Sequence, residues 1–336
     1  MLKGVSIMDS IKTTRLKNLT GGCILRKEHP LDYKYGIVSG VSETPTVVTY
    51  PMTFRLWTSG IKNQQTKNTC VAHALATLKE TQEYYDAKDT KKFSTNWIYG
   101  NRTDSQYQGE GMYIEEALNN LKNYGAVYLE DLPDNLDYTD ALKIVNNSKS
   151  ELLTKAQEHK IKSYAIPHSV NEIKTALYND HSPVVIGISV YESFYNINNS
   201  GIAPVPNIKK EVEYGGHAVV IIGWTVINNK EYWVVQNSWG ENWGDNGCFY
   251  IGVNDNFPIY ESWCSVDIIN HDLNFEDIQD RWSEKYINNC VRAGLISGFE
   301  DGLFRPSDPV TREQLCTIMA KMLEKIYENV CKKYHI

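Results

Sequence analysis

From Asn68 onward the apolar side chains return at helical spacing. Val71, Leu75, Leu78 and Tyr85 fall at i, i+4, i+7 and i+14, and no Gly or Pro interrupts before Gly100. This pattern predicts a buried helix capped by Asn68 or Thr69. Two further helices are expected, from Ile114 to Tyr124 with Gly125 as the stop, and near Ser169 to Tyr178. After Pro183 the pattern changes to short, strand-like apolar runs broken by Asn, Gly and Pro: Val184 to Val190, Ala218 to Trp224, Tyr232 to Gln236 and Phe249 to Val253. Asn228-Asn229 joins the second and third runs as a hairpin. Beyond Leu273 helices return. Trp282, Tyr286 and Ile287 begin one stripe, Leu315, Ile318, Met319, Met322 and Ile326 form another, and Asp301-Gly302 supplies a turn between them. Residues 1–50 contain Gly21-Gly22, Pro30 and Pro45, show no sustained period, and read as an extended arm. The order helical, then β, then helical gives an α+β class.

The chain has 336 residues and is 42% apolar, enough for about two domains with proper cores. Its 34 Lys+Arg against 41 Asp+Glu leave a net charge of −7, without the basic excess of a nucleic-acid surface. No apolar run approaches the ~20 residues of a membrane span, and the first eighteen residues lack the pattern of a signal peptide. The seven cysteines are odd in number and scattered, with no CxxC pair and no metal-ligand spacing. Neither a disulfide framework, nor a metal, nor an organic cofactor is expected.

Cys70 falls in the first turn of the predicted helix, where unpaired N–H groups and the positive dipole end favour a thiolate. A lone cysteine is also a small apolar core residue, so chemistry needs a base. His73, one turn along the same helix, would have to fold back past the backbone to reach the thiol. His217 follows Gly215-Gly216 and opens a strand. Reflecting the hairpin about its turn places Asn237 opposite residue 220, beside His217. An amide oxygen there can accept the second ring N–H and fix the imidazole's orientation. Taken singly, Asn237 could cap a strand and His217 could be a satisfied core residue.

Three segments occur in this order: N63-Q64-x5-C70, GGHAVVIIGW around His217, and QNSWGENWGDNGCFYI from Gln236. Together they resemble the papain-like cysteine peptidases over roughly Pro51 to Ile269. The resemblance implies a two-lobe fold, a helical lobe plus a β-barrel-like lobe, with the active site in the cleft between. It implies Cys70 as nucleophile, His217 as general base and acid, Asn237 as the orienting amide, and Gln64 as oxyanion donor beside the Cys70 N–H. Trp239 would cover the Asn–His bond. Gly111 and Met112 would form the cleft wall that pairs with an extended substrate, and Gly216 would lie at the S2 subsite. The chain departs from the pattern in having QTKNTCVAHA around the thiol, so the neighbouring cysteine of the family's usual disulfide is absent. Fifty residues leave no room for the long helical propeptide, and any inhibitory role would fall to the short arm lying across the cleft.

The stretch from Phe275 to Leu323 resembles one S-layer homology (SLH) module, a small all-α unit that attaches proteins to acidic cell-wall polysaccharide. Thr311 and Gln314 form a capping box. Arg312 opposes the helix dipole and would suit an anionic partner; Trp282 is a second candidate glycan contact. The expected organisation is an arm (1–50), a papain-like domain (51–271) and an SLH-like module (272–336). The expected function is hydrolysis of protein or peptide substrates by a thiol mechanism, at a cell surface or outside the cell. A cell-wall peptide amidase and a catalytically retired wall-binding protein are the alternatives.

Overall fold

A computed structural model describes residues 22–26, 50–102, 110–134, 143, 145, 151–267, 275–279, 281–292, 295–299 and 303–334. The chain divides into two compact units, Met1–Ile268 and Ile269–Ile336.

Among the described residues the first unit contains a short strand, β1 (Phe54–Arg55), then the helices α1 (Cys70–Ala87), α2 (Thr95–Gly100) and α3 (Ile114–Tyr124). Thr69 caps α1, and the helix ends at Lys88 in the left-handed region, φ 56°. Every α1 residue from Cys70 to Gln82 is buried, since α2, α3 and the sheet enclose it. Its apolar stripe joins the core, and the charges buried on it are paired. Glu80 accepts from Lys62 Nζ at 2.7 Å, from the Phe93 N–H at 2.8 Å and from the Ser59 hydroxyl, and Lys79 pairs with Glu83 at 2.9 Å. α3 has the bounds the sequence predicts, with Glu115 and Glu116 in its first turn complementing the dipole.

The sheet follows: β2 (Ile161–Ala165), the helix α4 (Val170–Tyr178), β3 (Val184–Tyr191), β4 (Glu213–Ile227), β5 (Lys230–Gln236), β6 (Cys248–Gly252) and β7 (Ile259–Asp267). The strands run antiparallel in the order β2-β7-β3-β4-β5-β6, with β1 added to β4. The sequence pattern does not reveal α2, β1, β2 or β7, and it shortens β4.

Asn228 and Asn229 take φ of 50° and 60°, the conformation a two-residue hairpin turn requires. Reflection about that turn nevertheless errs by one residue. Gln236, not the Asn237 that symmetry dictates, faces Val220, because the register shifts between Ile221 and Gly223. β1 crosses there, and a Cβ on Gly223 would stand 2.1 Å from the Phe54 carbonyl oxygen. The bulge also changes which face each β4 side chain meets. Ala218, Val220 and Ile222 enter the core shared with α1, whereas Val219, Ile221 and then Trp224 pack on the opposite face.

The second unit contains α5 (Glu284–Arg292) and α6 (Arg312–Tyr334). Among the described residues its core comprises Phe275, Ile278 and Ile287, joined by Val291 and Phe304. The Asp277 carboxylate accepts the N–H groups of Phe304 and Arg305 at 3.0 and 2.5 Å. Thr311 and Gln314 make both capping-box bonds, at 2.9 and 3.1 Å. The apolar stripe of α6 is not a core stripe within this unit, since Leu315, Met319 and Met322 stay 44–52% exposed. Ile326 and Asp301-Gly302 lie outside the described side chains and residues. Among the described residues no helix is long and apolar enough to cross a membrane, and Cys23, Cys70, Cys248, Cys264, Cys290 and Cys316 are free thiols.

Candidate active site

Cys70 is the first residue of α1 and its side chain is fully buried. The backbone N–H of Ala218, the residue after His217 on β4, hydrogen-bonds the sulfur together with the N–H groups of Val71 and Cys70 itself. The helical half and the sheet therefore meet at this thiol. His217 Nε2 lies 2.8 Å from Asn237 Oδ1. That oxygen also accepts the Ser238 N–H at 2.8 Å, a bond only an acceptor can make, so the imidazole carries its proton on Nε2. Nδ1 is then a free lone pair, buried and without a hydrogen-bond partner among the described residues. His73, by contrast, spends its Nδ1 on the Thr69 carbonyl at 2.9 Å.

Gln64 is 2% exposed and fixed at three points. Its N–H bonds the Ser238 carbonyl at 2.8 Å, its Oε1 accepts from Ser238 Oγ at 2.6 Å, and its Nε2 donates to the Lys67 carbonyl at 2.8 Å. The Ser238 bond orients the amide with its NH2 away from Ser238, leaving a second N–H to donate. Sequence reasoning missed Ser238, although it stands between Asn237 and Trp239 in the motif. The Trp239 ring sits 4.9 Å from His217, backed by Tyr195 stacked at 5.5 Å and by Phe194 and Trp243 edge-on. These rings stand beside the His–Asn pair, of which His217 is 0% and Asn237 2% exposed.

Gly111 turns its own polar groups inward: its carbonyl accepts from Arg102 at 2.6 Å and its N–H donates to the Tyr99 hydroxyl at 2.8 Å. Met112 alone presents its backbone to a peptide, and that peptide belongs to the same chain. The Met112 N–H donates to the Gly22 carbonyl (3.0 Å), Ile24 N–H to the Met112 carbonyl (3.1 Å) and Cys23 N–H to the Gly216 carbonyl (3.4 Å). Cys23 thus bridges Met112 in parallel. A Cβ on Gly22 would stand 2.9 Å from the Cys70 sulfur, and one on Gly216 would stand 2.2 Å from the Cys23 carbonyl oxygen. Residues 22–26 lie against the thiol and along Met112 and Gly216.

Burial inverts the titration expected at a helix N-terminus. Burial pushes the Cys70 thiol up to about 12, more than the three backbone N–H groups lower it. Burial likewise brings the His217 imidazole down to about 4 against the raising effect of Asn237, with His73 lowering it further. Burial favours the neutral thiol at Cys70 and the neutral imidazole at His217.

The family model described as papain family cysteine protease matches residues 53–268. The chain belongs to the papain family. A second model, the S-layer homology domain, matches residues 274–316. Among curated relatives, a gut-specific cysteine proteinase of Caenorhabditis elegans is 41% identical over 91 residues, covering 27% of this chain and 26% of the relative. The chain thus spans about a quarter of the length of such relatives. A longer match, 27% identical over 262 residues, covers 73% of this chain and 80% of an uncharacterized peptidase C1-like protein of Acanthamoeba polyphaga mimivirus. Of solved structures, xylellain, a cysteine protease from Xylella fastidiosa, superposes with a TM-score of 0.62 at 22% identity over 75% of this chain and 97% of that one. ProCathepsin B S9 from Trypanosoma congolense gives 0.58 at 18% identity, over 78% and 90%. These two share the papain-like fold. Trp282, 87% exposed, and Arg312, also exposed, belong to the second unit.

Proposed function

We propose that this papain-family chain hydrolyses peptide bonds through Cys70, His217, Asn237 and Gln64, and that residues 22–26 hold it latent. The observation that carries this reading is the His217 Nε2–Asn237 Oδ1 bond. It leaves Nδ1 free on the strand whose next N–H reaches the Cys70 sulfur. With the strap displaced, Nδ1 takes the thiol proton and the sulfur attacks the substrate's carbonyl carbon. The oxyanion is received by the Cys70 N–H and Gln64 Nε2. The imidazolium returns its proton to the leaving amine as the C–N bond breaks. Water then attacks the thioester, giving its proton to Nδ1, and the acid leaves as the thiol re-forms. No step calls for a metal or an organic cofactor. Gln64→Ala should lower kcat by about 100- to 1000-fold while KM changes little, measured with a fluorogenic peptide. An unchanged kcat would remove Gln64 from the oxyanion site.

The strap requires neutral His217. Its value of about 4 under cover lies below the ordinary 6.5, so closure is fully favoured above pH 6.5 and weakens as pH falls toward 4. The lag before full activity is therefore expected to shorten by up to tenfold per pH unit across that window. A lag that lengthens or stays constant on acidification contradicts the strap's role.

For residues 272–336 we propose attachment to an acidic wall polysaccharide through Trp282 and Arg312, placing the peptidase (51–271, with its 1–50 arm) at a cell surface. The supporting observations are the S-layer homology match and the exposure of both side chains. Sedimentation with purified walls carrying pyruvylated glycan should pull down the full chain, and Arg312→Ala should reduce the bound fraction several-fold. Equal sedimentation of the two, or none, counts against it.

A further inference from the structure

We propose that His73 is a positioning residue for the oxyanion site: its ring N–H, received by the Thr69 carbonyl, holds and strengthens the Cys70 N–H as a donor to the oxyanion. The proposal rests on the peptidase reading above and adds to it a residue that touches neither the substrate nor the thiol's proton.

The Thr69 carbonyl and the Cys70 N–H belong to one peptide unit, so they lie in one plane and point in opposite directions. Whatever fixes the oxygen fixes the hydrogen. Two donors converge on that oxygen, and both belong to His73: its backbone N–H at 3.1 Å, which closes the first turn of α1, and its Nδ1 at 2.9 Å. A carbonyl oxygen only accepts, so Nδ1 carries the ring proton, the opposite tautomer to that of His217. Burial brings the His73 ring down to about 4, more than its bond to Thr69 raises it, and the donor is a neutral imidazole. A second bond received by the carbonyl also polarises the peptide, which makes the N–H at its other end a better donor.

The usual fastening of a helix start is missing at this turn. A cap residue is ordinarily extended, with its side chain accepting an N–H of the first turn, as Ser94 does for Trp97 on α2 and Ser169 for Glu172 on α4, both at 3.1 Å. Thr69 instead stands at φ −113°, ψ 21° and makes no such bond, and its buried hydroxyl has no hydrogen-bond partner among the described residues. The turn that carries the nucleophile is held from its carbonyl side. The hold continues along the same face of α1, where the Thr77 hydroxyl donates to the His73 carbonyl at 3.1 Å and the Thr81 hydroxyl to the Thr77 carbonyl at 2.8 Å. A buried histidine that merely satisfied its ring would be served by any carbonyl. This one engages the peptide unit that supplies the backbone oxyanion donor.

The test uses the full chain, activated to its maximal rate, and the pair His73→Thr and His73→Val, which leave the same space and differ in one hydroxyl. A threonine at 73 can bond the carbonyl four residues back, as Thr77 and Thr81 do. With a fluorogenic peptide, kcat should be about tenfold higher in the threonine variant than in the valine variant, with KM within about twofold. A peptide aldehyde, whose carbonyl oxygen becomes the oxyanion when the Cys70 sulfur adds to its carbon, should bind the threonine variant about tenfold more tightly. Alkylation of Cys70 by iodoacetamide, which releases iodide and forms no oxyanion, should differ between them by less than about twofold when followed by peptide mapping. Equal kcat and equal aldehyde affinity in the two variants, or a difference that alkylation shares in full, overturns the positioning role and spares the peptidase reading. In the parent chain, 15N-histidine spectra should show His73 as the Nδ1–H tautomer; an Nε2–H ring overturns the proposal whether or not the variants fold. A parent chain that cleaves no peptide overturns both.

Discussion

Replacing Cys70 by alanine is expected to lower peptide hydrolysis by at least about 10⁴-fold, with His217→Ala close behind and the double variant no worse than either. The geometry explains the non-additivity. In the proposed mechanism the thiol is a nucleophile only when Nδ1 of His217 takes its proton, and Nδ1 is the available nitrogen because Asn237 engages Nε2. Each residue is idle without the other. Asn237→Ala should cost less, since Trp239 and its aromatic neighbours still hold the ring, but it should lower kcat as wrong tautomers and orientations become populated. These comparisons need a fluorogenic peptide, a reducing buffer and the full chain. If Cys70→Ala retains activity within tenfold of the parent, the thiol mechanism is excluded.

The second large effect concerns the strap. Leu25 is packed against the sheet's glycines beside Glu261, and a carboxylate introduced there would meet both an apolar pocket and a buried like charge. Losing the burial of a leucine side chain alone costs about 2 kcal/mol, a roughly 30-fold shift in the open-to-closed balance, and repulsion adds to it. Leu25→Asp should therefore raise the initial rate by about 30-fold or more and abolish the lag, without raising the final rate. Gly22→Val tests the same contact from the other end. Its Cβ would stand 2.7 Å from the Asn68 carbonyl and 2.9 Å from the Cys70 sulfur, closer than the closed strap permits. A lag that survives both substitutions would show that residues 22–26 do not control access.

The parts of this arrangement that were readable from the sequence are those set by local rules. The start of α1, both ends of α3, the Asn228-Asn229 turn and the Thr311-Gln314 box each follow from nearest-neighbour chemistry. The proximity of His217 and Asn237 was also accessible, because a hairpin folds back on itself whatever else the chain does. The error of one residue in its register has a non-local source: β1, some 170 positions earlier, presses its Phe54 carbonyl on Gly223. The same is true of β7, which inserts between β2 and β3 and carries Glu261 and Trp263. Nor does a single-residue argument at Cys70 foresee its covered state. The helix N-terminus favours a thiolate, yet burial of the sulfur outweighs it, and residues 22–26, which lie against it, carry no periodic signal. On α6 the apolar spacing was legible, but it does not mark a core within that unit.

The most direct measurement is the rate at which a peptidyl epoxide alkylates the full chain, followed by intact mass and by peptide mapping. The epoxide must enter the cleft to react, which separates Cys70 from the more exposed Cys290 and Cys316. One adduct is predicted, on Cys70, forming about 30-fold faster in Leu25→Asp than in the parent chain and at least 100-fold slower in Leu25→Asp/His217→Ala than in Leu25→Asp alone. Modification of a different cysteine, or an equal rate with and without His217, would contradict a thiol activated by that imidazole beneath its own strap.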